Sequence, residues 1–172
     1  MQSAQANIRE VDSPKELLEK VDEKLTSLLF RGDADFAVND GMDISVTEFD
    51  LKTRTLRYSG AGRPLVLIRN GEMEVINGDR FALGGDERIK EFTLHTIQLE
   101  KGDSFYQFSD GFPDQFGGPN GKKLKKKGML ELIQQMQGKD MSVQLQETKR
   151  FFAEWKGKYE QVDDIIFVGI TV

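Results

Sequence analysis

Apolar residues recur along this chain with two different periods, and the change of period marks its elements. Leu17, Leu18, Val21, Leu25, Leu28 and Leu29 fall at spacings of three, four and seven, which puts them on one face of an α-helix. Ser13-Pro14-Lys15-Glu16 stands at its start. Serine followed three residues on by glutamate is a capping box: the hydroxyl accepts from the Glu16 amide, and the carboxylate reaches back to the Ser13 amide. Proline suits the first helical position, where its missing N–H has no partner anyway. Arg31-Gly32-Asp33 reads as the end of this helix.

From residue 42 the period falls to two. Met42, Ile44 and Val46 alternate with Asp43, Ser45 and Thr47; Asp50-Leu51-Lys52-Thr53 is a turn, and residues 55–59 return, which is a hairpin pattern. Residues 65–69 and 72–76 flank Asn70-Gly71, a strong hairpin signal because both turn positions take positive φ. Residues 92–99 and 104–108 read as two more strands around Glu100-Lys101-Gly102-Asp103. After a glycine-rich loop at 117–121, two helices are predicted over 127–137 and 141–155. Met129, Leu130, Ile133 and Met136 face a core from the first, and Val143, Leu145, Phe151, Phe152 and Trp155 from the second. Residues 164–170 make a last strand, apolar enough to be buried. Strands and helices come in groups rather than in alternation, so the expected class is α+β, with antiparallel sheets flanked by helices.

Length and composition narrow this further. The 172 residues amount to one domain, read here as 1–172. There is no Cys and a single His95, which excludes a disulfide scaffold, a thiol nucleophile and a Cys- or His-rich zinc site. A metal site here must use carboxylates and water, which favours Mg²⁺ or Mn²⁺. The net charge is −5, so nothing points to nucleic acid or to an anionic membrane surface. No apolar run reaches the roughly 18 residues of a membrane span, and the first residues lack a signal-peptide pattern; the expected location is cytoplasmic. Lys122, Lys123, Lys125, Lys126 and Lys127 form the one basic cluster, either a solvated loop-to-helix face or a surface that steers an acidic partner.

Two acidic spots could carry chemistry. Ser109-Asp110-Gly111 follows the strand at 104–108, and Val162-Asp163-Asp164-Ile165 enters the last one. An aspartate at the end of a rigid strand is well placed to hold a cation, and glycine beside it lets the backbone turn away from the ligand sphere. Two such strand ends can meet in an antiparallel sandwich and share an oxygen-ligated ion. On spacing alone each also reads as an ordinary turn or a solvated pair.

The ordered set Asp40-Gly41-Met42-Asp43, Tyr58-Ser59-Gly60-Ala61-Gly62-Arg63-Pro64-Leu65, Leu99-Glu100-Lys101-Gly102-Asp103, Phe108-Ser109-Asp110-Gly111-Phe112 and Val162-Asp163-Asp164 resembles the SpoIIE-type branch of the PPM metal-dependent protein phosphatases, from about residue 13 to residue 172. The resemblance implies an αββα sandwich of two packed antiparallel sheets. It also implies two Mn²⁺ or Mg²⁺ ions, which activate a water against a phosphoserine or phosphothreonine protein such as an anti-anti-sigma-type regulator. By the same resemblance Asp110 and Asp163 are metal ligands, Asp164 is their hydrogen-bond partner, and Gly111 allows close approach to the ion. Arg63 stands where it can meet a phosphate. The family's N-terminal Gly-Asp and Asp-x-x-Gly-His-Gly motifs have no counterpart here. The expectation is therefore an N-terminally incomplete domain, inactive or weak alone, whose open sheet edges favour pairing between copies as a homodimer. The alternative is a non-catalytic pseudophosphatase that binds a partner through the same surface.

Overall fold

The computed structural model describes residues 11–29, 41–85 and 89–172. The helix end read at Arg31-Gly32-Asp33, and Asp40 of the ordered motifs, lie outside them. In chain order the elements are α1 Pro14–Leu29, β1 Gly41–Met42, β2 Ile44–Asp50, β3 Thr55–Ala61, β4 Leu65–Arg69, β5 Glu72–Ile76, β6 Leu83–Gly84 and β7 His95–Gln98. Then come β8 Ser104–Phe108, α2 Gly111–Asp114, β9 Phe116–Gly117, β10 Lys122–Lys123, α3 Lys125–Gln135, α4 Met141–Lys156 and β11 Phe167–Thr171. Helices and antiparallel sheets are grouped as expected for α+β. The chain forms two compact units, residues 1–65 with 76–100 and residues 66–75 with 101–172.

In the first unit α1 starts as its capping box dictates. The Ser13 hydroxyl accepts from the Glu16 amide at 3.2 Å. The reciprocal bond differs from expectation: the Glu16 carboxylate accepts from the Asp12 amide at 2.7 Å, one residue further back. That bond, with Lys20 at 3.0 Å, holds the Glu16 carboxyl below its ordinary value. Leu18, Val21 and Leu25 pack on Ala61, Leu83, Phe92, Ile44 and Val46, but Leu28 is exposed. The three-stranded sheet runs β2-β3-β7, with Ile44 opposite Ala61 and Tyr58 opposite His95. Met42 does not continue β2. The strand breaks at Asp43, and β1 pairs with β6 instead. Only His95–Gln98 of the strand expected over 92–99 is regular, because Phe92 drops into the core beside Phe81.

In the second unit the sheet order is β11-β8-β4-β5. Asn70 and Gly71 join β4 to β5 with φ of 51° and 83°, the two positive values that the turn demands. Val66, Ile68, Tyr106, Phe108, Phe112, Met129, Ile133 and Met136 form the core. α3 begins and ends two residues earlier than predicted. On α4 the buried residues are Gln144 and Thr148, while Val143 and Leu145 are exposed. The inward face is set by 144, 148, 151, 152 and 155, and Gln144 lies on it because the buried Tyr106 hydroxyl needs an acceptor. That hydroxyl donates to Gln144 Oε1 at 2.9 Å, and Gln144 Nε2 donates to the Lys139 carbonyl at 2.9 Å.

The last strand also differs from expectation. It starts at Phe167 rather than at residue 164. It lies at the sheet edge, and Val168 and Ile170 remain partly exposed. A run of apolar residues reports high strand propensity, not whether a second neighbour is present.

Candidate metal centre

Asp110 and Asp163 both belong to the second unit, at the adjoining ends of β8 and β11. The register pairs Phe108 with Phe167, so the chain before Phe167 runs beside the chain after Phe108. Ser109 fastens the two segments. Its amide donates to the Ile166 carbonyl at 3.0 Å. Its hydroxyl donates to the Asp164 carbonyl at 3.0 Å and accepts from the Ile166 amide at 2.9 Å.

Gly111 brings the backbones closer still. A Cβ built there lies 2.3 Å from the Asp164 carbonyl oxygen and 3.3 Å from the Asp163 carbonyl carbon. No side chain fits that gap, so glycine is required for close approach of backbone to backbone. The sequence reading gave Gly111 to the ion's surroundings; its observed neighbour is the Asp163-Asp164 peptide.

The three aspartates differ in exposure. Asp110 is half-buried and precedes the short α2, and its side chain makes no capping bond to that helix. Its carbonyl accepts from the Asp114 amide at 2.8 Å. Asp163 and Asp164 are exposed. Asp163 Oδ1 accepts from the Asp164 amide at 2.7 Å, and Gln161 Nε2 donates to the Asp163 carbonyl at 2.8 Å. Asp164 contributes its main-chain carbonyl to the Ser109 clamp. A second brace comes from Gln115, wholly buried, whose Nε2 donates to the Glu160 carbonyl at 2.8 Å. Ser109 and Gln115 thus bracket Asp110 and tie it to the chain on both sides of Asp163. Ser109 was visible as part of a triplet, though not as a clamp. Nothing in the sequence around Gln115 signals its role.

As oxygen donors, Asp110 and Asp163 are of the chemical type that suits a hard divalent cation. Mg²⁺ is commonly held by one or two carboxylates and several waters. Among the described residues no three His, Cys, Asp or Glu side chains converge as a metal cage. Arg63 and His95 lie in the first unit. Arg63 pairs with Asp43 at 3.3 Å, and His95 packs its ring 5.6 Å from that of Tyr58.

The profile of stage II sporulation protein E matches residues 2–172. The chain belongs to the SpoIIE family. A comparison with curated protein sequences gives no match. Among solved structures, this SpoIIE-family chain is similar to the SiaA-PP2C domain of Pseudomonas aeruginosa. The identity is 25% and the TM-score 0.80, over 93% of this chain and 61% of that one. It is also similar to the PP2C phosphatase domain and regulatory fragment of SpoIIE from Bacillus subtilis, at 16% identity and TM-score 0.58, over 91% of this chain and 47% of that one. Against RsbX in complex with magnesium the values are 17% and 0.52, over 90% of this chain and 72% of that one. The fold is that of PPM/PP2C phosphatase domains, and the chain spans 61% and 47% of the first two relatives' lengths. No helix among the described residues is long and apolar enough to cross a membrane.

Proposed function

We propose that this chain is the C-terminal part of a metal-dependent protein serine/threonine phosphatase domain in bacterial signalling, with Asp110 and Asp163 as retained ligands to Mg²⁺ or Mn²⁺. The observation that carries the reading is the locked corner: Ser109 and Gly111 fix the backbone of Asp110 against that of Asp163 and Asp164, while Asp163 faces solvent. A structural carboxylate pair needs no such outward aim.

Asp110 and Asp163 would hold the cation. When bound, Mg²⁺ or Mn²⁺ supplies the Lewis acidity that makes water nucleophilic near neutral pH. Ser109, Gln115 and Gly111 act through the backbone, keeping the two carboxylates at a fixed separation so that little reorganisation accompanies binding. The substrate class is a phosphoserine or phosphothreonine protein, with an anti-anti-sigma-type regulator as the expected kind, and the setting is cytoplasmic.

Mn²⁺ titration calorimetry on the chain, with Asp110→Asn and Asp163→Asn beside it and aryl phosphate hydrolysis in parallel, tests this. The expected result is binding that each substitution weakens at least tenfold, with slow turnover or none. Binding that neither substitution alters overturns the assignment of ligands. The absence of a three-carboxylate cluster among the described residues favours a second reading, a pseudophosphatase that binds its partner without metal. No binding in the unsubstituted chain selects it.

A further inference from the structure

One groove in the second unit plays no part in the phosphatase reading. It lies between α3 and α4, encloses about 380 Å³, and includes Leu124, Leu132, Phe151 and Trp155 in its lining. Phe151 and Trp155 stack with centroids 6.2 Å apart and planes 12° from parallel. Trp155 is fixed at both edges. Its Nε1 donates to the Gln115 carbonyl at 3.0 Å, and its six-membered ring lies 2.7 Å from where a Cβ on Gly118 would stand. The apolar floor is therefore pre-formed, which lowers the ordering cost of binding.

The rim is basic. Lys125 and Lys127 line the groove beside a single carboxylate, Glu131, and with Lys122, Lys123 and Lys126 they put five lysines into six positions of a chain whose net charge is −5. Lys123 is matched by Asp114 at 2.8 Å. Lys127 meets Glu131 only at 3.8 Å, with both side chains largely in solvent. Lys122 and Lys125 are exposed and form no ion pair among the described residues. Lys125 also holds a left-handed φ of 65°, which fixes where its stem leaves the rim.

We propose that this groove docks an acidic amphipathic segment of a partner protein, with an apolar side chain on the Phe151–Trp155 floor and carboxylates against the rim lysines. The floor supplies burial without selectivity. The lysines supply the selectivity, because they repel a basic segment and attract an acidic one. The inference does not depend on the metal reading.

Trp155 is the only tryptophan, so its emission reports on this groove alone. The probe is a synthetic helical peptide with Glu on one face and Leu and Phe on the other, compared with a twin carrying Lys in place of Glu. The acidic peptide is expected to shift Trp155 emission saturably. Its Kd should rise at least tenfold in the double variant K125E/K127E, whose far-UV circular dichroism stays unchanged, and should rise again with salt. The proposal is overturned by a flat emission up to millimolar acidic peptide, by an equal response to the basic twin, or by a response to an oligothymidine but not to the peptide. Emission that changes with the chain's own concentration alone overturns it in favour of a second copy as occupant.

Discussion

The molecule handles its acidic residues in two opposite ways. In the first unit Asp22 is buried and spent on structure: one carboxylate oxygen accepts from the Gly84 amide at 2.7 Å and from Lys90 at 2.9 Å, with both side chains less than a tenth exposed. In the second unit Asp110 and Asp163 are fixed by main-chain bonds at their neighbours, and Asp163 stands in water. A charge withdrawn from water must be matched where it lies, and Lys90 matches Asp22. A carboxylate at the surface keeps lone pairs within reach of solvent, and Asp163, with one oxygen held by the Asp164 amide, is such a group. What separates the structural carboxylate Asp22 from Asp163 here is burial beside a counter-ion.

Substitutions can break this contrast. Asp22→Ala leaves Lys90 buried without its counter-ion and is expected to lower unfolding stability by about 3–5 kcal/mol, whereas Asp163→Asn should change it by less than about 0.5 kcal/mol. Urea denaturation of the two variants measures both, and equal losses would end the distinction. Gly111→Ala drives a methyl into the Asp164 carbonyl and should cost about 1–3 kcal/mol. Unlike Asp22→Ala, it should weaken Mn²⁺ binding in calorimetry even in conditions where the chain stays folded. Ser109→Ala removes two hydrogen bonds at a partly exposed site. About 1 kcal/mol is expected, with faster amide exchange at Ile166 as the specific readout.

The smallest effect concerns exposed carboxyls that serve local structure. Glu16, held by the Asp12 amide and Lys20, and Asp50, held by the Lys52 and Thr53 amides, both lie below their ordinary values. A carboxyl with a lowered folded value lends stability above its ordinary value and loses it as pH falls through the folded one. Glu16→Gln should therefore flatten a small part of the acid limb below about pH 4.5 in a pH series of thermal melts, and leave neutral pH nearly unchanged.

Much of this was legible in the chain itself. The capping box at Ser13, the Asn70-Gly71 turn and the helix from Met141 are set by short-range chemistry, and the structure has them in place. The ordered motifs carried the family. The errors share one cause. Val143 and Leu145 were expected inside, and Gln144 holds that place instead, because hydropathy cannot know that a buried Tyr106 hydroxyl will need an acceptor. The strand over 164–170 looked buried because its composition does not count its neighbours. Residues 164–166 left the strand because Ser109, more than fifty positions away, takes their hydrogen bonds.

The sequence by itself determined where the first helix starts, where the Asn70-Gly71 turn falls and which family the chain belongs to, since all of these rest on residue type and local spacing. Only the tertiary structure decided that Gly111 abuts the Asp164 carbonyl, that Gln115 and Ser109 brace the acidic corner, and that Trp155 and the lysines share a groove. Those depend on distances between segments far apart in the chain, which packing and hydrogen-bond satisfaction set and no local pattern encodes.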